Sequence, residues 1–182
     1  MKRFTLTVVA ALFLTVASFA DEYEKACAEI LNKVKSGETA VDYAALRQNC
    51  GRTSWYVQRK QTQIDKIRKE MFEAANAGKH EEVKKLAQSI LDLNYLNMTA
   101  HKMLSWSLEA LGDSVGAKRH LDIEIGRLRS IGQSGSGKNC KESKVVIDVE
   151  EEYFVMWIMG WKLKRQQTVS DGDITCDLMQ VV

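Results

Sequence analysis

Apolar residues recur at helical spacing between about residues 61 and 131, and two glycines, Gly78 and Gly112, interrupt this pattern. An α-helix places residues three and four apart on one face, so each uninterrupted stretch predicts one amphipathic helix. Because the whole chain contains no proline, glycine is the strongest helix-ending residue that it has. This region is therefore expected to form consecutive helices joined by glycine turns.

The two glycines are 34 residues apart, and a shift of 34 also places Ala87 on Leu121 and Leu91 on Ile125. A helix–turn–helix unit of this length is typical of tetratricopeptide repeats. Only two units are visible, so helices predicted over residues 22–36 and 41–49 would have to cap the stack. An ordinary antiparallel helical bundle with coincidental glycine spacing is the less favoured alternative.

The chain changes character after a Gly/Ser-rich loop at residues 132–139. Its β-branched residues predict a short strand over residues 145–149. Alternation from Trp161 onward, a turn at Ser170–Asp173 and a return strand over residues 174–182 predict a β-hairpin.

The segment between these strands, residues 150–160, fits two structures. Asp148 followed three residues later by Glu151 resembles a capping box and favours a helix. The apolar run Tyr153–Ile158 would equally suit a buried strand. The sequence favours the helix slightly and leaves the strand open.

These patterns predict a mainly α fold of the α+β class. Tetratricopeptide-like helical hairpins would occupy residues 21–131, and a small cap with a β-hairpin would occupy residues 132–182 of the same domain. The length of the chain suits one domain after removal of a leader.

Residues 1–20 have the three-part pattern of a cleavable signal peptide. Lys2 and Arg3 precede an apolar stretch, and the small residues Ser18 and Ala20 precede a charged pair. A transmembrane anchor needs roughly 20 apolar residues, more than this stretch offers. The sequence predicts a periplasmic or secreted protein without stable membrane insertion after cleavage.

Four cysteines, Cys27, Cys50, Cys140 and Cys176, lie after the predicted cleavage point. In an oxidising compartment an even number of cysteines favours disulfides over reactive thiols. Three pairings are possible, and the spacing suggests Cys27–Cys50 and Cys140–Cys176, each of which closes a local loop.

The charge of the mature chain argues against two classes of partner. Cleavage removes two basic residues, so 26 basic and 24 acidic residues become 24 of each. A formally neutral chain gives no reason to expect binding to nucleic acid or to an anionic membrane.

No metal ion or cofactor is predicted. The three histidines, His80, His101 and His120, lack the spacing of a helical metal site. Gly132–Asn139 resembles a phosphate-binding loop, but Asn139 replaces the Ser or Thr that holds magnesium.

Four residues are candidates for a binding site. Tyr95 and Trp106 could anchor a partner if they lie exposed on a concave helical surface. His101 and His120 fall on different helices of the second hairpin and could meet. The acidic run Glu150–Glu152 is better explained by the positive end of a helix dipole than by paired catalytic carboxylates.

Several short stretches between residues 41 and 182 carry a family resemblance. They are Val41-Asp42-Tyr43, Leu46-Arg47, Tyr56, Ser134-Gly135-Ser136-Gly137-Lys138, Val146-Ile147, Glu151-Glu152-Tyr153, Gly160, Gln167, Asp173 and Asp177-Leu178-Met179. These stretches resemble a bacterial exported family known as domain of unknown function 4919, but Val57-Gln58-Arg59 replaces an aromatic-Pro-Tyr segment of that family. The resemblance implies a helical, tetratricopeptide-like exported protein and no catalytic residues.

The sequence thus favours a non-enzymatic module of the cell envelope that binds a protein or peptide. One alternative is a small periplasmic hydrolase that uses His101 or His120 near the glutamates. Another is a secreted effector or inhibitor.

Overall fold

The computed structural model describes residues 21–182, and the predicted signal peptide, residues 1–20, lies outside the described residues. The chain divides into two compact units, one that ends at Arg59 and one that comprises Lys60–Val182. The fold is mainly helical and ends in a two-stranded antiparallel hairpin, as the sequence predicts.

In the part of the first unit that the structure describes, residues 21–59, the chain forms three helices. Helix α1 continues to residue 36 and ends at Gly37, whose φ of 109° lies in the left-handed region. Helix α2, Tyr43–Cys50, begins after Asp42, whose carboxylate accepts a hydrogen bond from the N–H of Ala45. The disulfide between Cys27 and Cys50 joins α1 to α2 and confirms the first expected pairing.

A short helix α3, Ser54–Val57, follows the turn after α2. Glu24 of α1 supports its first turn, because its Oε1 accepts hydrogen bonds from both the N–H and the hydroxyl of Ser54. The first N–H groups of a helix need such acceptors, and this one comes from a residue 30 positions earlier.

The second unit begins with four helices, α4 (Gln61–Asn76), α5 (His80–Leu93), α6 (Met98–Ala110) and α7 (Ser114–Gln133). Gly78 and Gly112 have φ values of 68° and 86°, so each predicted hairpin turn uses the freedom of a glycine. Each helix packs against the next. The helical hairpins are confirmed, and their assignment as tetratricopeptide repeats stays a prediction. The core shared by these helices includes Ile64, Met71, Val83, Ala87, Ile90, Leu91, Leu104 and Ala117.

The buried face of α7 differs from the apolar stripe expected from the sequence. Leu121 and Ile125 are 39% and 40% exposed, although their counterparts one period earlier, Ala87 and Leu91, are buried. The buried face instead carries Glu124 and Arg127, because each has a partner of opposite charge on another helix. Spacing of apolar residues alone could not reveal such pairs.

The segment 150–160, for which the sequence left helix and strand open, forms helix α8, Val149–Ile158. Asp148 caps its first turn by accepting a hydrogen bond from the N–H of Glu151, and Glu151 accepts one from the N–H of Ile147. The strand expected over residues 145–149 is wrong. The N–H of Val145 donates to the hydroxyl of Ser134, so side chains take the hydrogen bonds that a sheet would need.

Strands β1 (Leu163–Asp171) and β2 (Ile174–Val181) form the predicted hairpin, with Gly172 in the turn at a φ of 65°. The disulfide between Cys140 and Cys176 links β2 to a short 3₁₀ turn, Cys140–Glu142, and confirms the second expected pairing. Among the described residues, no helix combines the length and apolar character needed to cross a membrane.

A buried ion pair attaches α8 to the helical hairpins. Arg127 of α7 donates from Nη2 to Oε1 of Glu151 at 2.7 Å, and the two side chains are only 1% and 2% exposed. The other terminal nitrogen of Arg127 donates to the carbonyl oxygen of Leu96, in the turn between α5 and α6. One guanidinium therefore fixes three segments of the chain.

Removal of one partner of this pair is expected to leave a buried, unpaired charge. We predict that Arg127→Met lowers the free energy of unfolding by about 3–5 kcal/mol. The double variant Arg127→Met/Glu151→Met should lose less free energy of unfolding than the two single variants lose together, because it leaves no isolated charge.

Urea-induced unfolding measures these changes. The control is Lys118→Met, which breaks the exposed 2.6 Å pair between Lys118 and Asp122 and should cost less than about 1 kcal/mol. If Arg127→Met and Lys118→Met lowered the free energy of unfolding equally, the conclusion that Arg127 holds three segments of the chain together would be contradicted.

Candidate functional site

Three of the four candidate binding residues, Tyr95, His101 and His120, lie in contact with one another around His101. His101 of α6 and His120 of α7 face each other, with their Nδ1 atoms 2.8 Å apart. The Nε2 atom of His101 lies 2.9 Å from the carbonyl oxygen of Tyr95, and the rings of Tyr95 and His101 make an edge contact. The two histidines therefore do meet, as the sequence suggested they could.

The hydrogen bonds of this cluster define which nitrogens carry protons. A carbonyl oxygen only accepts, so Nε2 of His101 is the donor to Tyr95. In a neutral imidazole the other nitrogen is then an acceptor, and Nδ1 of His120 must donate to Nδ1 of His101. The pair is satisfied when both rings are neutral.

The surroundings hold both rings in this neutral form. Burial lowers the pKa of His101 well below its usual value, and the neighbouring His120 lowers it further. Burial, with the positive charge of Arg119, lowers the pKa of His120 to about 4. Burial also raises the pKa of Tyr95. The cluster consequently carries no imidazolium charge at neutral pH.

Trp106, the fourth candidate, lies in a different environment. Its ring packs against His80 of α5 at a centroid distance of 4.5 Å, and the side chain remains 44% exposed. A shallow surface pocket borders His80 and includes Leu111 and Lys85. Tyr95 and Trp106 therefore do not join in one hydrogen-bonded or ring-contact cluster among the described residues.

The histidine pair has the character of a polar link between α6 and α7. Within the described residues, no hydroxyl, thiol or carboxylate group hydrogen-bonds to either ring. No group of three or more His, Cys, Asp or Glu side chains in residues 21–182 is arranged to hold a metal ion. In the described part of the chain, the hydrogen-bond partners of the two rings are instead one carbonyl oxygen and each other.

A cavity of about 680 Å³ whose lining is both apolar and polar lies in the C-terminal part. We call it the hairpin cavity. Its walls come from the end of α7, the Gly/Ser loop, α8 and β2, and include Ile131, Lys138, Val155, Met156, Thr175 and Leu178. Its volume lies within the range of ligand pockets, which are mostly apolar with a few polar groups.

The three side chains of the acidic run at the start of α8 lie in three different environments. Glu150 accepts a hydrogen bond from the side-chain amide of Asn97 and lies 3.5 Å from Arg68. Glu151 pairs with Arg127. Glu152 lines the hairpin cavity. Consecutive helical residues point about 100° apart, so one run can anchor α8 twice and still supply a cavity carboxylate.

Glu152 is the cavity carboxylate that lacks a hydrogen bond on one of its oxygens. Its Oε2 atom is buried and has no hydrogen-bond partner among the described residues. Burial raises the pKa of Glu152, and the negative charges of Asp177 and Asp148 raise it further. Asp177, also in the cavity wall, accepts hydrogen bonds from Thr168 and Gln166.

The cavity was not foreseen as a site from the sequence. Its walls come from segments up to 50 residues apart, Ile131 to Val181, and none carries a recognised ligand motif. The resemblance did offer a signal, because Ser136-Gly137-Lys138, Val146, Glu152 and Asp177-Leu178-Met179 all belong to its matching stretches and all line this cavity.

Residues 39–182 match the family described as a domain of unknown function, DUF4919. Because this match covers most of the chain, the protein belongs to that family. The match also confirms the resemblance seen in the sequence. No curated protein and no solved structure matches the chain.

The histidine pair generates a prediction about acid stability. Both rings stay neutral in the folded protein, whereas they take up protons near pH 6.5 in the unfolded chain. The unfolded state then binds more protons, so the free energy of unfolding should decrease as pH falls from about 6.5 towards 4.

Unfolding curves between pH 4 and 7.5 measure this decrease. His120→Asn keeps an N–H donor towards His101 but removes one titrating ring. The free energy of unfolding of this variant should therefore decrease less between neutral and acid pH than that of the wild type. His80→Asn is the matched control outside the pair and should retain the full decrease. Parallel curves for all three proteins would refute a role of the pair.

Proposed function

We propose that this member of the DUF4919 family is an exported, non-catalytic binding protein of the cell envelope. It binds an extended peptide segment of a partner protein and inserts one side chain into the hairpin cavity. The observation that carries this proposal is the cavity itself, which combines apolar walls, two carboxylates and an adjacent sheet edge.

The sheet edge favours an extended peptide as the ligand. Within the described residues the sheet has only two strands, so β2 pairs with β1 alone. Edge strands present N–H and C=O groups that a further strand can use. The consecutive residues Thr175–Met179 of β2 all line the cavity, which therefore follows this strand. Main-chain pairing would supply affinity, and the cavity would select a side chain.

Two disulfides support export. Cys27–Cys50 and Cys140–Cys176 both form, and disulfides persist mainly in oxidising compartments. The second disulfide lies in the cavity wall, where it holds the 3₁₀ turn to β2. An oxidising compartment would thus keep the binding site intact. The predicted signal peptide leads to the same compartment.

Phage display tests this function. A random heptapeptide library is selected for binding to the oxidised protein, residues 21–182. The selected peptides are synthesised, and calorimetry measures their affinity for the wild type and two variants. Thr175→Trp places a large ring in the cavity wall and should reduce affinity at least about tenfold. Ile174→Trp adds the same ring at the neighbouring, exposed position outside the wall and should leave affinity unchanged.

Equal affinities of all three proteins for every selected peptide would contradict the proposal, as would failure of the library to yield a binder. Thermal unfolding of the two tryptophan variants verifies that both remain folded.

A further inference from the structure

The hairpin cavity has a chemical asymmetry that defines which side chain it accepts. Its apolar wall, with Ile131, Val155 and Leu178 from three different elements, suits an aliphatic stem. Glu152 and Asp177 supply negative charge in the same wall. A ligand that matches both features has methylene groups and a cationic end.

The chain itself does not neutralise these two carboxylates. Neither Glu152 nor Asp177 forms an ion pair within 4.0 Å in the described part of the chain. Asp177 accepts only from the neutral side chains of Thr168 and Gln166. Oε2 of Glu152 is buried without any hydrogen-bond partner among residues 21–182. Glu152 is half-buried as a residue, but an unpaired carboxylate oxygen that is shielded from water is costly, and a cation would remove that cost.

The two lysines of the cavity wall do not fill this role. Lys144 donates from Nζ to the carbonyl oxygens of Gly132 and Gly135, at 2.9 and 2.8 Å, and so ties the Gly/Ser loop together. Lys138 is exposed on that loop. The raised pKa of Glu152, caused by burial and by the charges of Asp177 and Asp148, is the expected response of a carboxyl group without a cation.

We propose that the hairpin cavity recognises a lysine side chain of the peptide, with its methylene stem along the apolar wall and its ammonium group between Glu152 and Asp177. This inference rests on the proposed function and adds the chemistry of the recognised side chain. A charge-assisted hydrogen bond to an otherwise unpaired carboxylate gives the selectivity.

Three peptides that differ in one residue test the proposal. The probes are Ac-Gly-Ser-X-Ser-Gly-NH₂, in which X is lysine, norleucine or N-acetyl-lysine. Norleucine keeps the stem without the ammonium group, and acetyl-lysine removes the charge at similar length. Affinities come from titration of the methyl NMR signals of Val155 and Leu178, which also locate the binding.

The lysine peptide should bind at least about tenfold more tightly than the other two. Glu152→Gln should abolish this preference while leaving the norleucine peptide unchanged. Asp173→Asn makes the same charge change in the exposed hairpin turn and should retain the preference. Asp177→Asn is a second cavity variant, in case Glu152→Gln fails to fold.

The outcomes separate the two proposals. Equal binding of the lysine and norleucine peptides at the cavity would overturn the lysine inference and leave the peptide-binding function standing. Retention of the lysine preference in Glu152→Gln would also overturn it. If none of the three peptides, and none of the library peptides, shifts the cavity signals, both proposals are wrong.

Discussion

The C-terminal part depends on one buried ion pair, between Arg127 of α7 and Glu151 of α8. Arg127 also binds the carbonyl oxygen of Leu96, and Glu151 also accepts from the N–H of Ile147. These bonds set the position and rotation of α8 on the helical hairpins. Because Glu152 is the next residue, the same rotation directs its carboxylate to the hairpin cavity. A buried pair seldom stabilises a fold more than apolar packing would, so its role here is to fix geometry.

The cavity also needs a second wall, which the helices cannot provide. The hairpin β1–β2 supplies it, and the Cys140–Cys176 disulfide holds that hairpin to the 3₁₀ turn after the Gly/Ser loop. Lys144 closes the loop on itself through two carbonyl oxygens. A small β-hairpin is marginally stable alone, so this covalent link and the helical platform together account for an ordered site.

Local patterns in the sequence predicted the longer helices but not the short α3, and the other errors arose where long-range polar pairs decide the structure. Gly78 and Gly112 marked the hairpin turns, and the Asp148–Glu151 cap marked the start of α8. Apolar spacing failed on α7, where Arg127 is buried by a partner 24 residues away. The strand expected near Val145 failed because, among residues 21–182, no neighbouring strand pairs with it. His101 and His120 were singled out correctly as a possible pair, but the role of Glu152 depends on tertiary structure alone.

The most direct test of the central claim, that the hairpin cavity holds a peptide side chain, is an intermolecular NOE measurement on a methyl-labelled protein with a library-selected peptide. One peptide side chain should give NOEs to the methyl groups of Val155 and Leu178, and none to Leu111 in the shallow pocket near His80. NOEs to Leu111 without any to Val155 and Leu178 would contradict this claim.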